Sequence, residues 1–323
     1  MGKENQYIPE FYLKNFSIKN KNQEIGVFNV DTEEYLPKVE IKTQIQNPYF
    51  FGKGCIIEEW LENVETTTEL CFTDIIFCNA IPQFSRRYFK NITYYVLLFE
   101  LRNPIEAKSV DKALTQLLSE IPFEGKEFSD FKSSYDIPKG INFSVLDKSL
   151  DCLKDLKTKL IINKTKVPFL TSDRPVIKYN QLLRNLNFQG DSTTYGAKGL
   201  QLMIPLSPNH LLFFYDNKVY KVGDAGEPRV FIENESDIKQ LNALMLLNAK
   251  ESVYFNENTD NKCISELKEL FIENIKGKSF KNEIRNGLNL SFVKIKPTAQ
   301  KIKINSKSSP KRDEALSNMK YWC

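Results

Sequence analysis

Apolar residues in the first half of the chain recur three and four positions apart, which predicts amphipathic helices. The clearest example begins near residue 57, where one face carries Ile57, Trp60, Leu61, Val64 and Thr68. The same spacing predicts helices at about 84–101, 110–119 and 143–156, and the first of these ends before Pro104. Residues 122–140 are polar and form a predicted loop or insertion.

Short apolar runs bounded by turn residues predict strands at 24–30 and, after residue 157, at 160–163, 176–179, 202–205, 211–215, 219–222 and 229–232. Residues 35–51 are predicted to form extended segments. Helical patterns return at about 236–249, where Ser236 is the predicted N-cap, and at about 264–275. Helices and strands thus occupy separate stretches instead of alternating. The pattern therefore predicts an α+β fold with a helical middle flanked by a mainly antiparallel mixed sheet.

We expect one large domain over residues 1–293, with a helical part at about 55–157, a strand-rich part at about 158–232 and C-terminal helices at about 236–276. Lysines alternate with apolar residues at 292–304, so 294–323 is predicted to be a basic edge strand followed by a mobile tail. The lysines of this segment and Arg312 could follow the phosphate backbone of RNA or DNA. A solvated tail without a partner is the alternative.

The composition suits a soluble globular protein, with 41% hydrophobic and 27% charged residues. The net charge of +4 permits an anionic partner without requiring one. No run of about 18 apolar residues occurs, so we expect no membrane span. The first ten residues lack the apolar segment of a signal peptide, and a cytoplasmic location with reduced thiols is expected.

Several kinds of chemistry are disfavoured by what the sequence lacks. The six cysteines form no C-x-x-C pair, and one histidine cannot complete a zinc-finger spacing. No P-loop or dinucleotide-binding motif occurs, so no nucleotide cofactor is expected. A Ser-His-Asp or Cys-His mechanism would have to use His210, which follows Pro208 and Asn209 and is predicted to lie in an exposed turn.

Three short motifs carry polar side chains between large apolar ones: NQYIPEFYLKNF at 5–16, PFLTSDRPV at 168–176 and PLSP at 205–208. In this order they resemble DUF4238, a domain of unknown function, across roughly residues 5–257. The resemblance implies candidate positions and no reaction. Those positions are Gln6, Tyr7, Glu58, Glu65, Arg102, Thr171, Ser172, Asp173, Asn242 and Asn248.

The family commonly has a histidine where this chain has Gln6. A glutamine forms hydrogen bonds but cannot accept a proton near neutral pH. If the family's histidine is catalytic, this chain has lost or moved that chemistry. If the histidine only orients a neighbouring group, Gln6 can serve.

The best site candidate follows the apolar segment 167–170, at what we expect to be a strand end. There Asp173 would bind a metal or activate water, Ser172 would be a second catalytic candidate, and Thr171 and Arg174 would contact substrate. The alternative is an Asx or Ser/Thr turn, in which these side chains bond local backbone groups before Pro175.

A second candidate is the acidic stripe of Glu58, Glu62 and Glu65 on the predicted helix. Glu58 and Glu65 coincide with the family pattern, and with Asp173 they would hold Mg²⁺ or Mn²⁺. Arg102 would pair with one of these carboxylates or contact a phosphate. A solvated helix face is the alternative for the whole stripe.

These residues favour a protein that acts on nucleic acid, as a metal-assisted nuclease of a bacterial toxin or phage-defence kind. Its catalytic set would be Asp173, Glu65, Glu58, Ser172 and Gln6, and its substrate-binding set Arg102, Arg174, Tyr7 and Thr171. Two alternatives stay open. One is a non-catalytic binding or regulatory module whose motifs form a structural knot. The other is a hydrolase of a small ligand or nucleotide that uses Ser172 or Asp173.

Overall fold

The structure is a computed structural model of the 323-residue chain. It describes residues 8–19, 23–44, 56–82, 92–97, 99, 150–188, 190, 192–275, 281–284, 287–300 and 310–313, with the backbone alone at 56–62, 273–275 and 281–283. The predictions for 110–119, for 122–140 and for most of 143–156 lie outside the described residues.

Strands and helices occupy separate stretches of the described chain. The strands are β1 (Glu24–Asn29), β2 (Tyr35–Glu40), β3 (Lys157–Asn163), β4 (Thr171–Ser172), β5 (Ile177–Tyr179), β6 (Gln201–Ser207), β7 (His210–Tyr215), β8 (Tyr220–Val222), β9 (Arg229–Ile232), β10 (Ser252–Phe255), β11 (Ile272–Ile275), β12 (Lys281–Ile284) and β13 (Val293–Ile295). The helices are α1 (Glu10–Lys14), α2 (Ile41–Gln44), α3 (Ile56–Cys78), α4 (Gln181–Asn185), α5 (Glu235–Asn248), α6 (Asn261–Phe271) and α7 (Pro297–Gln300). Residues 92–97 and 150–153 are helical as well. The predicted α+β class is confirmed.

Two sheets carry most of the described strands. The larger has the order β5-β6-β7-β3-β9, and only its β3–β9 pair is parallel. The smaller is antiparallel with the order β2-β1-β10-β4. The short β4 lies at one edge of the smaller sheet, and it carries the central motif of the sequence.

The central strands β3, β6 and β7 of the larger sheet are buried on both faces, because they turn alternate side chains toward two different clusters. On β6, Leu202 and Ile204 join a cluster with Phe72 of α3, whereas Met203 joins a cluster with Leu241 of α5. Burial on both faces explains why these strands read as continuous apolar runs in the sequence.

Three local predictions differ from the structure. The N-cap of α5 is Asn234 and not Ser236, because the Asn234 side chain accepts a hydrogen bond from the Ser236 backbone N–H (3.0 Å). Helix α6 ends at Phe271, because the next four residues pair with β12. Residues 41–44, predicted to be extended, form the helical turn α2.

Among the helices of the described residues, none combines the length and the apolar character that crossing a membrane requires.

Candidate functional site

Tyr12 joins the three sequence motifs at one buried point. Its side chain is 0% exposed, and its hydroxyl donates to the Pro205 carbonyl (2.6 Å). Because that bond uses the only phenol proton, the Thr171 hydroxyl, 2.8 Å away, donates to the Tyr12 oxygen. Burial raises the pKa of Tyr12, so the phenol stays neutral and serves as a structural link between α1, β4 and β6.

Asp173 is bound by the backbone at the start of β10. One carboxylate oxygen accepts the N–H of Lys250 (2.8 Å), and the other accepts those of Glu251 (2.6 Å) and Ser252 (3.3 Å). Burial raises the pKa of Asp173, while the three N–H groups and the charge of Arg174 act in the opposite direction. The side chain thus holds the connection between α5 and β10 against β4.

Ser172 makes the Ser/Thr turn that was the alternative to a catalytic role. Its hydroxyl donates to the Arg174 carbonyl (2.9 Å) and accepts the Arg174 backbone N–H (3.1 Å). Thr171 and Ser172 are both fully buried. Ser172 is therefore used locally, in the turn before Pro175. Thr171 and Asp173 instead bond distant segments, Tyr12 and residues 250–252.

Two asparagines of α5 fix the same segment from the other side. The Asn242 amide accepts the Leu170 N–H (2.9 Å) and donates to the Pro168 carbonyl (2.8 Å). The Asn248 amide donates to the carbonyls of Arg174 (2.5 Å) and Val176 (3.0 Å). Both residues were singled out by the family pattern, and their contacts give a structural reason for that pattern.

The remaining predicted site residues are placed only in part. Gln6, Tyr7 and Arg102 lie outside the described residues, as does the side chain of Glu58, whose backbone belongs to α3. Glu65 is half-buried on α3. Among the side chains that the structure describes, no three of His, Cys, Asp or Glu are grouped as a metal site would need. The predicted Mg²⁺ or Mn²⁺ site of Glu58, Glu65 and Asp173 stays a prediction.

His210 differs from its prediction, because it is 7% exposed and not a solvent-exposed turn residue. Its Nδ1 lies 2.8 Å from the Ser207 hydroxyl, and its Nε2 lies 2.8 Å from the side-chain oxygen of Asn79. The Asn79 oxygen can only accept, so Nε2 of the neutral ring carries the proton and donates to it. Nδ1 then accepts the Ser207 hydroxyl proton, and the Ser207 oxygen accepts the Asn209 N–H (3.2 Å). Burial, and next the charge of Lys164, lower the pKa of His210.

A polar groove of about 570 Å³ lies beside the β6–β7 hairpin. It is lined by the segment after α1, the turn after β3, the β6–β7 hairpin and the residues after β10. Its charged and amide side chains are those of Lys19, Lys166, Glu257, Asn209, Asn256 and Asn258. Glu257 accepts the Lys19 backbone N–H (3.0 Å), so its carboxylate is bonded to the groove wall.

The turn after β3 is held firmly by Asn163. The Asn163 amide donates to the Val167 carbonyl (2.6 Å), and its oxygen accepts the backbone N–H and the hydroxyl of Thr165 (both 2.8 Å). Lys164 and Lys166 project from this turn and are both exposed. Neither lysine was predicted as a site residue, although a polar Asn-Lys-Thr-Lys turn after an apolar strand is a signal that the sequence contains.

Arg312 of the basic C-terminal segment is buried and cannot contact a phosphate. Arg312 is 3% exposed and is paired with Asp155 through its Nε (2.8 Å). It also donates to the carbonyls of Cys152, Tyr195 and Ala197. Residues 310–313 are thus anchored to the domain, in contrast to the expected mobile tail. Lys301, Lys303 and Lys307 lie outside the described residues.

The family model of DUF4238, described as a protein of unknown function, matches residues 6–259. No curated protein and no solved structure matches the chain. The matched region includes α1, β4 and α5, whose motif residues meet at Tyr12, Asp173 and Asn242. The chain therefore belongs to the DUF4238 family of proteins of unknown function.

Proposed function

We propose that this protein binds nucleic acid, and that the polar groove with the turn at 163–168 receives the phosphate backbone. The observation that carries the proposal is the display of exposed lysines by a rigid turn at the groove wall. Lysine ammonium groups that neutralise phosphates release counterions, which is the main source of sequence-independent affinity for nucleic acid.

The backbone that carries Lys164 and Lys166 is fixed before any ligand arrives. Asn163 fixes the turn that carries Lys164 and Lys166, and the Lys164 N–H donates to the Ile232 carbonyl of β9 (2.8 Å). Lys19 and Lys166 both line the groove, and Lys164 lies two residues before Lys166 in the adjoining turn. A preformed surface loses less conformational entropy on binding than a flexible one.

The amide groups of the lining suit the same ligand. Asn209, Asn256 and Asn258 offer donors and acceptors that are compatible with phosphate oxygens, sugars and base edges. The motif residues, in contrast, bond one another and the backbone. Nucleic-acid binding would therefore involve the exposed groups of the groove lining. The buried motif residues would have a structural role, which is to hold the groove walls together.

Binding of fluorescein-labelled RNA and DNA oligonucleotides, followed by anisotropy at several salt concentrations, tests the proposal. Lys19→Gln, Lys164→Gln and Lys166→Gln are each expected to weaken binding and to reduce the slope of log Kd against log salt by about 1. Lys221→Gln and Lys262→Gln are matched controls, because both lysines are exposed and lie outside the groove lining and outside the turn at 163–168.

Two results would contradict this function. One is the absence of binding to any oligonucleotide at low salt. The other is an equal loss in the groove variants and in the two control variants, which would show that the affinity comes from net charge and not from this surface.

Cleavage of the bound strand is the second candidate function. The raised pKa of Asp173 beside the charge of Arg174 favours it, since perturbed carboxyl groups are frequent at catalytic sites. Incubation of labelled RNA and DNA with Mg²⁺, with Mn²⁺ and with chelator tests it, with Asp173→Asn and Glu65→Gln beside wild type. Cleavage that survives both substitutions would reject these carboxylates as the site.

A further inference from the structure

An exposed aromatic ring lies next to the lysine turn. Phe231 belongs to β9, the last strand of the larger sheet, and its side chain is 49% exposed. Its strand neighbours Val230 and Ile232 are buried on the opposite face. A single exposed phenylalanine is common on protein surfaces, so the exposure by itself indicates nothing.

Two cationic groups are placed against this ring. The Lys164 ammonium lies 5.4 Å from the ring centroid, and the Arg229 guanidinium carbon lies 5.8 Å from it. Arg229 is itself fixed by its Nε bond to Glu227 (2.9 Å). Both distances are within the range of attraction between a cation and a ring face.

The ring and the groove are joined by a short piece of chain. Lys164 contacts Phe231, and Lys166, two residues later, lines the groove. A strand whose phosphates follow Lys166 and Lys164 would therefore bring a neighbouring base to the ring. Aromatic side chains beside basic groups are the recurring means of binding single strands, because every base has a face that can stack.

We propose that Phe231 is a stacking platform for one unpaired base, with Lys164 and Arg229 on the adjacent phosphates. The ligand class is then single-stranded RNA or DNA of any sequence, and this inference rests on the proposed function. Duplexes, whose bases are already stacked, bind only through the lysines.

Phe231→Ala is expected to weaken binding of a labelled oligo-dT or oligo-U roughly 5- to 150-fold. The factor is expected to be the same at every salt concentration, in contrast to the effects of the lysine substitutions. Phe231→Trp retains a ring and is expected to bind at least as tightly as wild type. Phe77→Ala is the matched control, because Phe77 is an exposed phenylalanine on α3, and it is expected to bind like wild type.

An abasic strand of the same length separates stacking from indirect effects. Wild type and Phe231→Ala are expected to bind the abasic strand equally, since it offers no base to the ring. Thermal melting of each variant, followed by circular dichroism, verifies that the fold is intact.

The inference is overturned if Phe231→Ala binds oligo-dT and oligo-U like wild type, or loses the same factor on the abasic strand. If groove lysines still matter in that case, the proposed function stands and only the stacking role fails. If wild type binds no strand at all, both are rejected.

Discussion

Asp173 accepts three backbone N–H groups from residues 250–252, and at the scale of single residues this arrangement already has a structural purpose. A carboxylate is suited to it because both of its oxygens only accept hydrogen bonds. The catalytic and structural roles of Asp173 make opposite predictions for one substitution.

Asp173→Asn is expected to lower the free energy of unfolding by about 1–3 kcal/mol. The asparagine has one acceptor oxygen, so its NH₂ group would face a backbone N–H and leave that donor without a partner. Urea denaturation of wild type and variant at pH 7 measures the difference. Asp74→Asn, on an exposed position of α3, is the control and is expected to change stability by less than about 0.5 kcal/mol. Unchanged stability together with lost cleavage would favour the catalytic role.

At the scale of secondary-structure elements, His210 connects the end of α3 to the β6–β7 hairpin. Asn79, which accepts the ring N–H, follows α3 with a positive φ of 49°. On the other side of the ring, the Ser207 hydroxyl donates to Nδ1. Protonated Nδ1 could no longer accept the Ser207 proton. Protonation would therefore disturb the Ser207 contact within the hairpin, whereas the Nε2–H bond to Asn79 would remain.

The stability of the protein is expected to fall as the pH decreases below about 6.5, the ordinary histidine value. The pKa of His210 is lowered in the folded state, so the unfolded chain binds the proton more readily and unfolding takes one up in this range. Urea denaturation at a series of pH values between 7 and 5 measures the effect. His210→Gln is expected to be less stable at pH 7 and to lack this contribution.

His210 is the only histidine of the chain, so the comparison is specific. Asp173, whose pKa is raised, contributes a pH dependence of opposite sign, but it does so in both proteins and cancels in their difference. Equal pH dependence in wild type and His210→Gln would show that His210 is not desolvated as described.

The elements themselves were largely predictable, and the exceptions have local causes. β3, β6 and β7 were found because buried strands give continuous apolar runs bounded by turn residues. The N-cap of α5 was misplaced because Asn234 and Ser236 are both good capping residues, and only the backbone path selects one. The end of α6 was misplaced because pairing with β12 depends on a segment farther along the chain.

At the scale of the whole molecule, Arg312 ties the C-terminal segment to the domain. It bonds Asp155, which lies 157 positions earlier, and three carbonyl groups from two separate segments. These bonds hold the C-terminal segment against residues 152–155 and 195–197.

Arg312→Ala is expected to lower the free energy of unfolding by about 3–5 kcal/mol, because it leaves the buried Asp155 carboxylate without its partner. Thermal and urea denaturation measure the loss. Lys311→Ala removes one hydrogen bond to Thr194 at a half-buried position and is expected to cost about 1 kcal/mol. A similar small loss for both variants would show that residues 310–313 are not anchored.

The sequence by itself determined the α+β class, most strand positions and the family, because periodicity and motif order are local properties that one chain displays directly. It also located the central motif, yet it left open whether Ser172 and Asp173 were catalytic or turn-forming. That choice depends on which donors surround them. The donors to Asp173 are the backbone N–H groups of residues 250–252, far along the chain, and the donor to Ser172 is the Arg174 N–H.

Only the tertiary structure decided which polar residues are buried and which basic residues face solvent. His210 and Arg312 were expected to be exposed and are buried, because Asn79 and Asp155 reach them from distant parts of the chain. Lys164, Lys166 and Phe231 form one surface because β3 and β9 are paired in parallel, a contact between segments about 70 residues apart. Burial and charge pairing are properties of the assembled fold, and no local pattern specifies them.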